Sequence, residues 1–167
     1  MRKVHVFLIA IILTFCFSFR TYAYEYNGWV FSNPLNITYS ISSSAAPYIN
    51  NISSYSTKWN SMPEINISLS ENGNGNIVFT GDFATNTGAY AITYHYSNTS
   101  HYICLYMDFS SLSEVRKNET IVHEVGHALG LAHCAVAYNN ISVMRATGFN
   151  DIAAPLMYDG YSIANLY

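Results

Sequence analysis

The segment of this chain best supplied with reactive side chains reads His123-Glu124-Val125-Gly126-His127-Ala128-Leu129-Gly130-Leu131-Ala132-His133. On a helix, His123 and His127 are one turn apart and project from the same face. Both imidazoles can then reach one zinc ion at about 2.0–2.1 Å. Glu124 lies along this face too, close enough to contact a metal-bound water without being a ligand itself. Gly130 sits where a helix needs a left-handed residue in order to stop, and a turn there lets His133 swing back as the third nitrogen ligand. Three neutral ligands leave a fourth position for water, the open arrangement of a hydrolytic site. A closed structural site more commonly uses four ligands, often cysteines, and this segment offers only Cys134. A bare His-Glu-x-x-His is common by accident. All five fixed residues together arise by composition alone with a probability on the order of 10⁻⁵ over the chain.

Those residues need a helix beneath them. Val115, Val122, Val125 and Leu129 supply its apolar stripe, and Ser111 with Glu114, or Ser113 alone, could cap its start. Upstream, 29–41 alternates through Leu35, Ile37, Tyr39 and Ile41 as a first strand. Tyr48, Ile49, Ile52, Tyr55 and Trp59 fall at helical spacing, predicting a helix over 45–59 with Pro47 near its front and Met62-Pro63 at its end. Ile65, Ile67 and Leu69 alternate as a second strand, and Asn72-Gly73-Asn74-Gly75 turns into a third at 77–80. Tyrosine-rich runs at 89–96 and 102–109 are two more strands, their aromatics read as sheet surface and core and not as a stacking platform for ligands. The order predicts an α/β sandwich and not a helix bundle.

The N-terminus reads as an export signal of residues 1–23. Arg2 and Lys3 precede an apolar run over 4–19, and Thr21-Tyr22-Ala23 offers small residues where a signal peptidase cuts. The alternative is an uncleaved membrane anchor. The domain at 24–167 then holds 4 basic against 10 acidic residues, a formal net charge of −6. A nucleic-acid partner would want a basic stripe, and none exists. Cys104 and Cys134 remain after export, able to form one disulfide or to stay as separate buried thiols. Six Asn-x-Ser/Thr sequons, at Asn36, Asn51, Asn66, Asn98, Asn118 and Asn140, are weak evidence for glycosylation in so Asn-rich a chain.

On the eleven residues from His123 to His133, and on Ser142-Val143-Met144, which looks like a Met-turn, the chain resembles the metzincin metallopeptidases and their matrixin-like branch. Leu35-x-Ile37-x-Tyr39, Trp59-Asn60 and Asp159-x-x-x-Ile163-x-x-Leu166-Tyr167 extend the resemblance to the first strand, the end of the first helix and a closing helix. The resemblance implies an α+β zincin fold: a twisted, mixed, five-stranded sheet with a central active-site helix and a small C-terminal subdomain below the cleft. It places Met144 under the zinc-binding imidazoles as an apolar floor, with Met157 as a competitor too close to the closing helix. A tyrosine approaching the metal, as some metzincins have, finds only Tyr158 as a distant candidate, because Arg145 follows Met144. The family's structural zinc site has only Asp82, His95 and His101 as remnants, and calcium at the loop 72–76 is thinly supported by Glu71 alone.

The expected function is that of a secreted zinc endopeptidase acting on protein or peptide substrates as a monomer. Zinc is held by His123, His127 and His133, with Glu124 as general base. A peptide would lie extended along an edge strand near 88–93, with side-chain preference set by the wall over 143–155. Two rivals stand beside this reading. One is a catalytically inactive, zinc-containing binding module of the same fold. The other, compatible with either activity, is a membrane-tethered surface protein that keeps its N-terminal segment.

Overall fold

A computed structural model describes residues 24–167, so the export segment expected at 1–23 lies outside the described residues. Five strands form one sheet: β1 (Ile37–Ile41), β2 (Ile67–Leu69), β3 (Ile77–Asp82), β4 (Ala91–Ser97) and β5 (Ser100–Tyr106), in the order β2-β1-β3-β5-β4. The β1–β2, β1–β3 and β3–β5 pairs are parallel, while β4 runs antiparallel to β5 on the edge. The helices are α1 (Ile49–Tyr55), α2 (Glu114–Ala128) and α3 (Met157–Leu166). The mixed five-stranded α+β arrangement is therefore as expected, with α2 as the helix that carries the histidines. Among the described residues no helix is long and apolar enough to cross a membrane.

The core lies between the sheet and the helices. Ile37, Ile77, Phe79, Ile103 and Leu105 from the strands meet Ile52 of α1, Val122 and Val125 of α2 and Leu129 at its C-cap, all essentially inaccessible to water. Trp59 fills the centre, and its indole N–H donates to the Val122 carbonyl at 2.9 Å, so a large apolar ring is buried without an orphaned donor. That bond fixes the height of α2 against the layer beneath it.

Several local expectations need correction. The stretch 45–59 is not one α-helix: 3-10 turns at Ser43–Tyr48 and Ser56–Ser61 flank the short α1. Pro47 brings no N–H to the front of that stretch, and its serines compete for backbone partners. A 3-10 step rotates about 120° per residue against about 100° in an α-helix, so the apolar stripe drifts and leaves Ile49 exposed. Strand β1 starts at Ile37, because Pro34–Asn36 forms a 3-10 turn that turns Leu35 to solvent. Leu69, at the end of the edge strand β2, is exposed as well.

The start of α2 also departs from expectation. Ser113 occupies the N-cap position but its side chain makes no capping bond, and the Ser111 hydroxyl donates instead to the Asp108 carbonyl at 2.7 Å. Glu114 is engaged by Lys117 and Asn51, and Val115 is partly exposed. Packing of the downstream stripe against Trp59 and the sheet supplies what the cap does not.

Candidate metal centre

Helix α2 ends in a Schellman turn. Gly130, at φ +100°, donates to the His127 carbonyl at 3.0 Å, and Leu131 donates to the Gly126 carbonyl at 3.0 Å. A side chain at Gly130 would also stand 2.2 Å from the Trp29 carbonyl oxygen. The reversed chain brings the third histidine back: His133 Nε2 lies 3.3 Å from His123 Nε2 and 3.2 Å from His127 Nε2. Among the described residues this trio is the one group of three or more His, Cys, Asp or Glu side chains with convergent ligand atoms.

Backbone carbonyls set the orientation of the two helix imidazoles. His123 donates through Nδ1 to the Val143 carbonyl at 2.8 Å, and His127 through Nδ1 to the Leu131 carbonyl at 2.8 Å. Protonated at Nδ1, both present Nε2 lone pairs inward. Burial pushes each pKa down to about 4, so both rings are neutral at pH 7. Three ring nitrogens at these separations cannot all be satisfied by one another, since a proton on His133 Nε2 could serve only one of its two neighbours. A tetrahedral zinc ion sets its nitrogen ligands about 3.3 Å apart, and so the donor set fits such an ion.

Met144 is buried against Gly126 of α2, where an added Cβ would meet its sulfur at 2.3 Å. Met157, at the exposed start of α3, is excluded from any such position. The turn carrying Met144 is clamped by Asp159. This fully buried carboxylate accepts from the Ser142 hydroxyl at 2.5 Å, Val143 N–H at 2.8 Å and Leu156 N–H at 2.7 Å. Burial raises its pKa while these donors pull it back. Asp159 thus touches Val143, which in turn orients His123.

Asn27 does the same for the opposite side. Its amide donates to the carbonyls of His127 at 2.8 Å and Leu131 at 3.3 Å, while Asn27 N–H donates to Gly130 and Ala132 N–H to Glu25. The segment ahead of β1 straps down the loop that delivers His133. Nothing in the local sequence marks Asn27, for it has no motif and acts across about a hundred residues of chain.

A cleft of about 680 Å³ opens over the trio, lined on one side by Tyr90 and the edge-strand residues Ala91 to Thr93 and on the other by Val143, Arg145 and Phe149. Glu124, largely buried, borders it, and the Thr93 hydroxyl approaches Glu124 Oε2 at 2.6 Å. The walls expected at 88–93 and 143–155 are therefore the ones that face each other.

Other expectations do not assemble. His95 and His101 meet Nδ1 to Nδ1 at 2.9 Å, but Asp82 is at the far end of β3 accepting from the Thr85 hydroxyl, so no three-ligand second zinc site forms there. In loop 72–76 the Asn76 side-chain oxygen is already used by Thr38 N–H and hydroxyl, and no acidic cluster joins Glu71 among the described residues. Tyr158 is buried and stacked on Tyr138 at 4.2 Å, away from the cleft. Cys104 and Cys134 are separate thiols and form no disulfide.

No protein-family model matches the sequence, and no curated protein matches it. Solved structures do. One structure of myroilysin superposes with a TM-score of 0.63 at 16% identity, over 86% of this chain and 97% of that one. A crystal structure of myroilysin gives 0.63 at 17% identity, over 84% of this chain and 86% of that one. At such identity the likeness is one of architecture: the chain shares the fold of myroilysin over most of its length, and its own mixed five-stranded sheet stands behind a helix that presents two histidines to a cleft.

Proposed function

We propose that this chain is a secreted zinc endopeptidase, of the matrixin-like branch of the metzincins. The observation that carries this reading is the convergence of three imidazole Nε2 atoms beside a carboxylate, in a cleft walled by an unpaired strand edge. The export signal read in residues 1–23 supports action outside the cell.

His123, His127 and His133 would hold the ion. Zinc bound there supplies a water of near-neutral pKa and a Lewis acid for the scissile carbonyl. Glu124 takes a proton from the attacking water and delivers it to the departing amine, the role its place between His123 and His127 on the helix allows. The carbonyls of Val143 and Leu131 hold the imidazoles in one tautomer. Met144 closes the floor with an apolar, non-ionisable side chain, and the strand β4 edge aligns an extended peptide through backbone hydrogen bonds.

The test is cleavage of casein and mixed peptides by the purified domain, alongside bound-metal analysis. Wild type should carry one zinc per chain and cleave. Glu124→Ala should retain the zinc and lose at least about a hundredfold in kcat, within the range for removing a general base. Undiminished cleavage by Glu124→Ala, or stoichiometric zinc with no turnover by wild type on any peptide, would refute the proposal.

A further inference from the structure

Thr93 stands at the junction of two things the site needs: a strand edge to receive a peptide and a carboxylate held in one orientation. Its hydroxyl has one proton and two acceptors within reach, Glu124 Oε2 at 2.6 Å and the Glu124 carbonyl at 2.9 Å. Among the described residues no other group donates to the Glu124 carboxylate. A carboxylate has two oxygens, and a donor fixed on Oε2 holds the rotamer while leaving Oε1 for the cleft. Charge-assisted bonds of this length are the strong kind.

The backbone of Thr93 faces the other way. Tyr106 N–H donates to the Tyr90 carbonyl at 2.9 Å, which makes the Tyr90–Tyr106 pair a hydrogen-bonded one. Bonded and non-bonded pairs alternate along an antiparallel ladder. Ala91↔Leu105 is therefore non-bonded, Ile92↔Cys104 bonded and Thr93↔Ile103 non-bonded. The N–H and C=O of Thr93 thus point away from β5, out over the free edge, while its side chain reaches α2. One residue carries both the outward peptide group at the edge and the grip on Glu124.

Resting on the peptidase reading above, we propose that Thr93 is the positioning residue of the general base: its hydroxyl fixes the Glu124 carboxylate.

Thr93→Val is isosteric and β-branched, which suits a strand, and it removes only the donor. In the zinc-loaded enzyme kcat should fall about ten- to a hundredfold, the range for losing a hydrogen bond to a charged group. KM and zinc stoichiometry should stay at wild-type values, and Thr93→Ser should recover kcat to within about threefold. Crystal structures of zinc-loaded wild type and Thr93→Val supply a readout free of activity: the carboxylate should leave its wild-type rotamer in the variant. A Glu124 side chain unmoved in Thr93→Val overturns the proposal. So does a kcat within about threefold of wild type, or a loss that Thr93→Ser shares. Wild type that cleaves nothing would instead refute the peptidase reading, and the two crystal structures would then decide whether Thr93 holds Glu124.

Discussion

Asp159→Ala should destabilise the metal-free domain by about 4 kcal/mol. The figure follows from the three donors that meet this carboxylate: the Ser142 hydroxyl, Val143 N–H and Leu156 N–H. Ser142 and Val143 are buried to 1% exposure or less, so neither finds water when the carboxylate is gone. Leu156 is only partly buried and can be solvated. Two stranded donors at about 2 kcal/mol each give the estimate. Asp159→Asn is the sharper probe. Its single carbonyl oxygen can take over Oδ2, which serves both backbone N–H groups. The amide nitrogen then faces the Ser142 oxygen, which already accepts from Met144 N–H at 2.9 Å. Only the Ser142 proton loses its acceptor, at a cost of about 1–2 kcal/mol. Urea unfolding at pH 7, with m-values unchanged between variants, measures both. Because Val143 orients His123 Nδ1, zinc titration should show weaker binding by about ten- to a hundredfold in the alanine variant. An alanine variant within about 1 kcal/mol of wild type, or an asparagine variant as damaged as alanine, would refute the reasoning.

Gly130→Ala combines a φ of +100° with a Cβ 2.2 Å from a backbone oxygen; it should cost at least about 3 kcal/mol in urea midpoint analysis. Gly73→Ala, at φ +72° with nothing within 4 Å, should cost only about 1 kcal/mol, and equal losses at the two sites would contradict the steric argument. Burial, and then repulsion from His95, pushes the His101 pKa down to about 4. The unfolded chain therefore takes up a proton near pH 6.5 that the folded one refuses, and stability is lost as pH falls from about 6.5 to about 4. Over that window wild type should lose on the order of 2 kcal/mol more than His101→Leu in paired urea titrations, and parallel curves would exclude His101 as the cause.

The convergence of the three histidines was legible because its geometry is local. His123 and His127 share a helix face by periodicity alone, and Gly130 announces the stop that returns His133 within a few residues. The helix that carries them was equally plain from Val122, Val125 and Leu129. The strands β3, β4 and β5 followed from alternation, since burial on one face of a sheet imprints a period of two. The stretch 45–59 was read less well. Helical spacing identifies an apolar face but does not separate α from 3-10 geometry when proline and serines weaken the regular ladder.

What the sequence by itself determined is the trio of imidazoles, the carboxylate among them and the turn that joins them, because residues a few positions apart on one helix and the tight turn that ends it have little freedom to be elsewhere. Tertiary structure alone decided that Asn27 straps the returning loop, that Asp159 clamps the turn under Met144, and that Thr93 meets Glu124. It also decided that Asp82 stands apart from the His95–His101 pair and that the two cysteines never meet. These contacts depend on where strands and loops distant in the chain are laid beside one another, and that is set by the collective burial of the core, to which no single polar residue leaves a local trace.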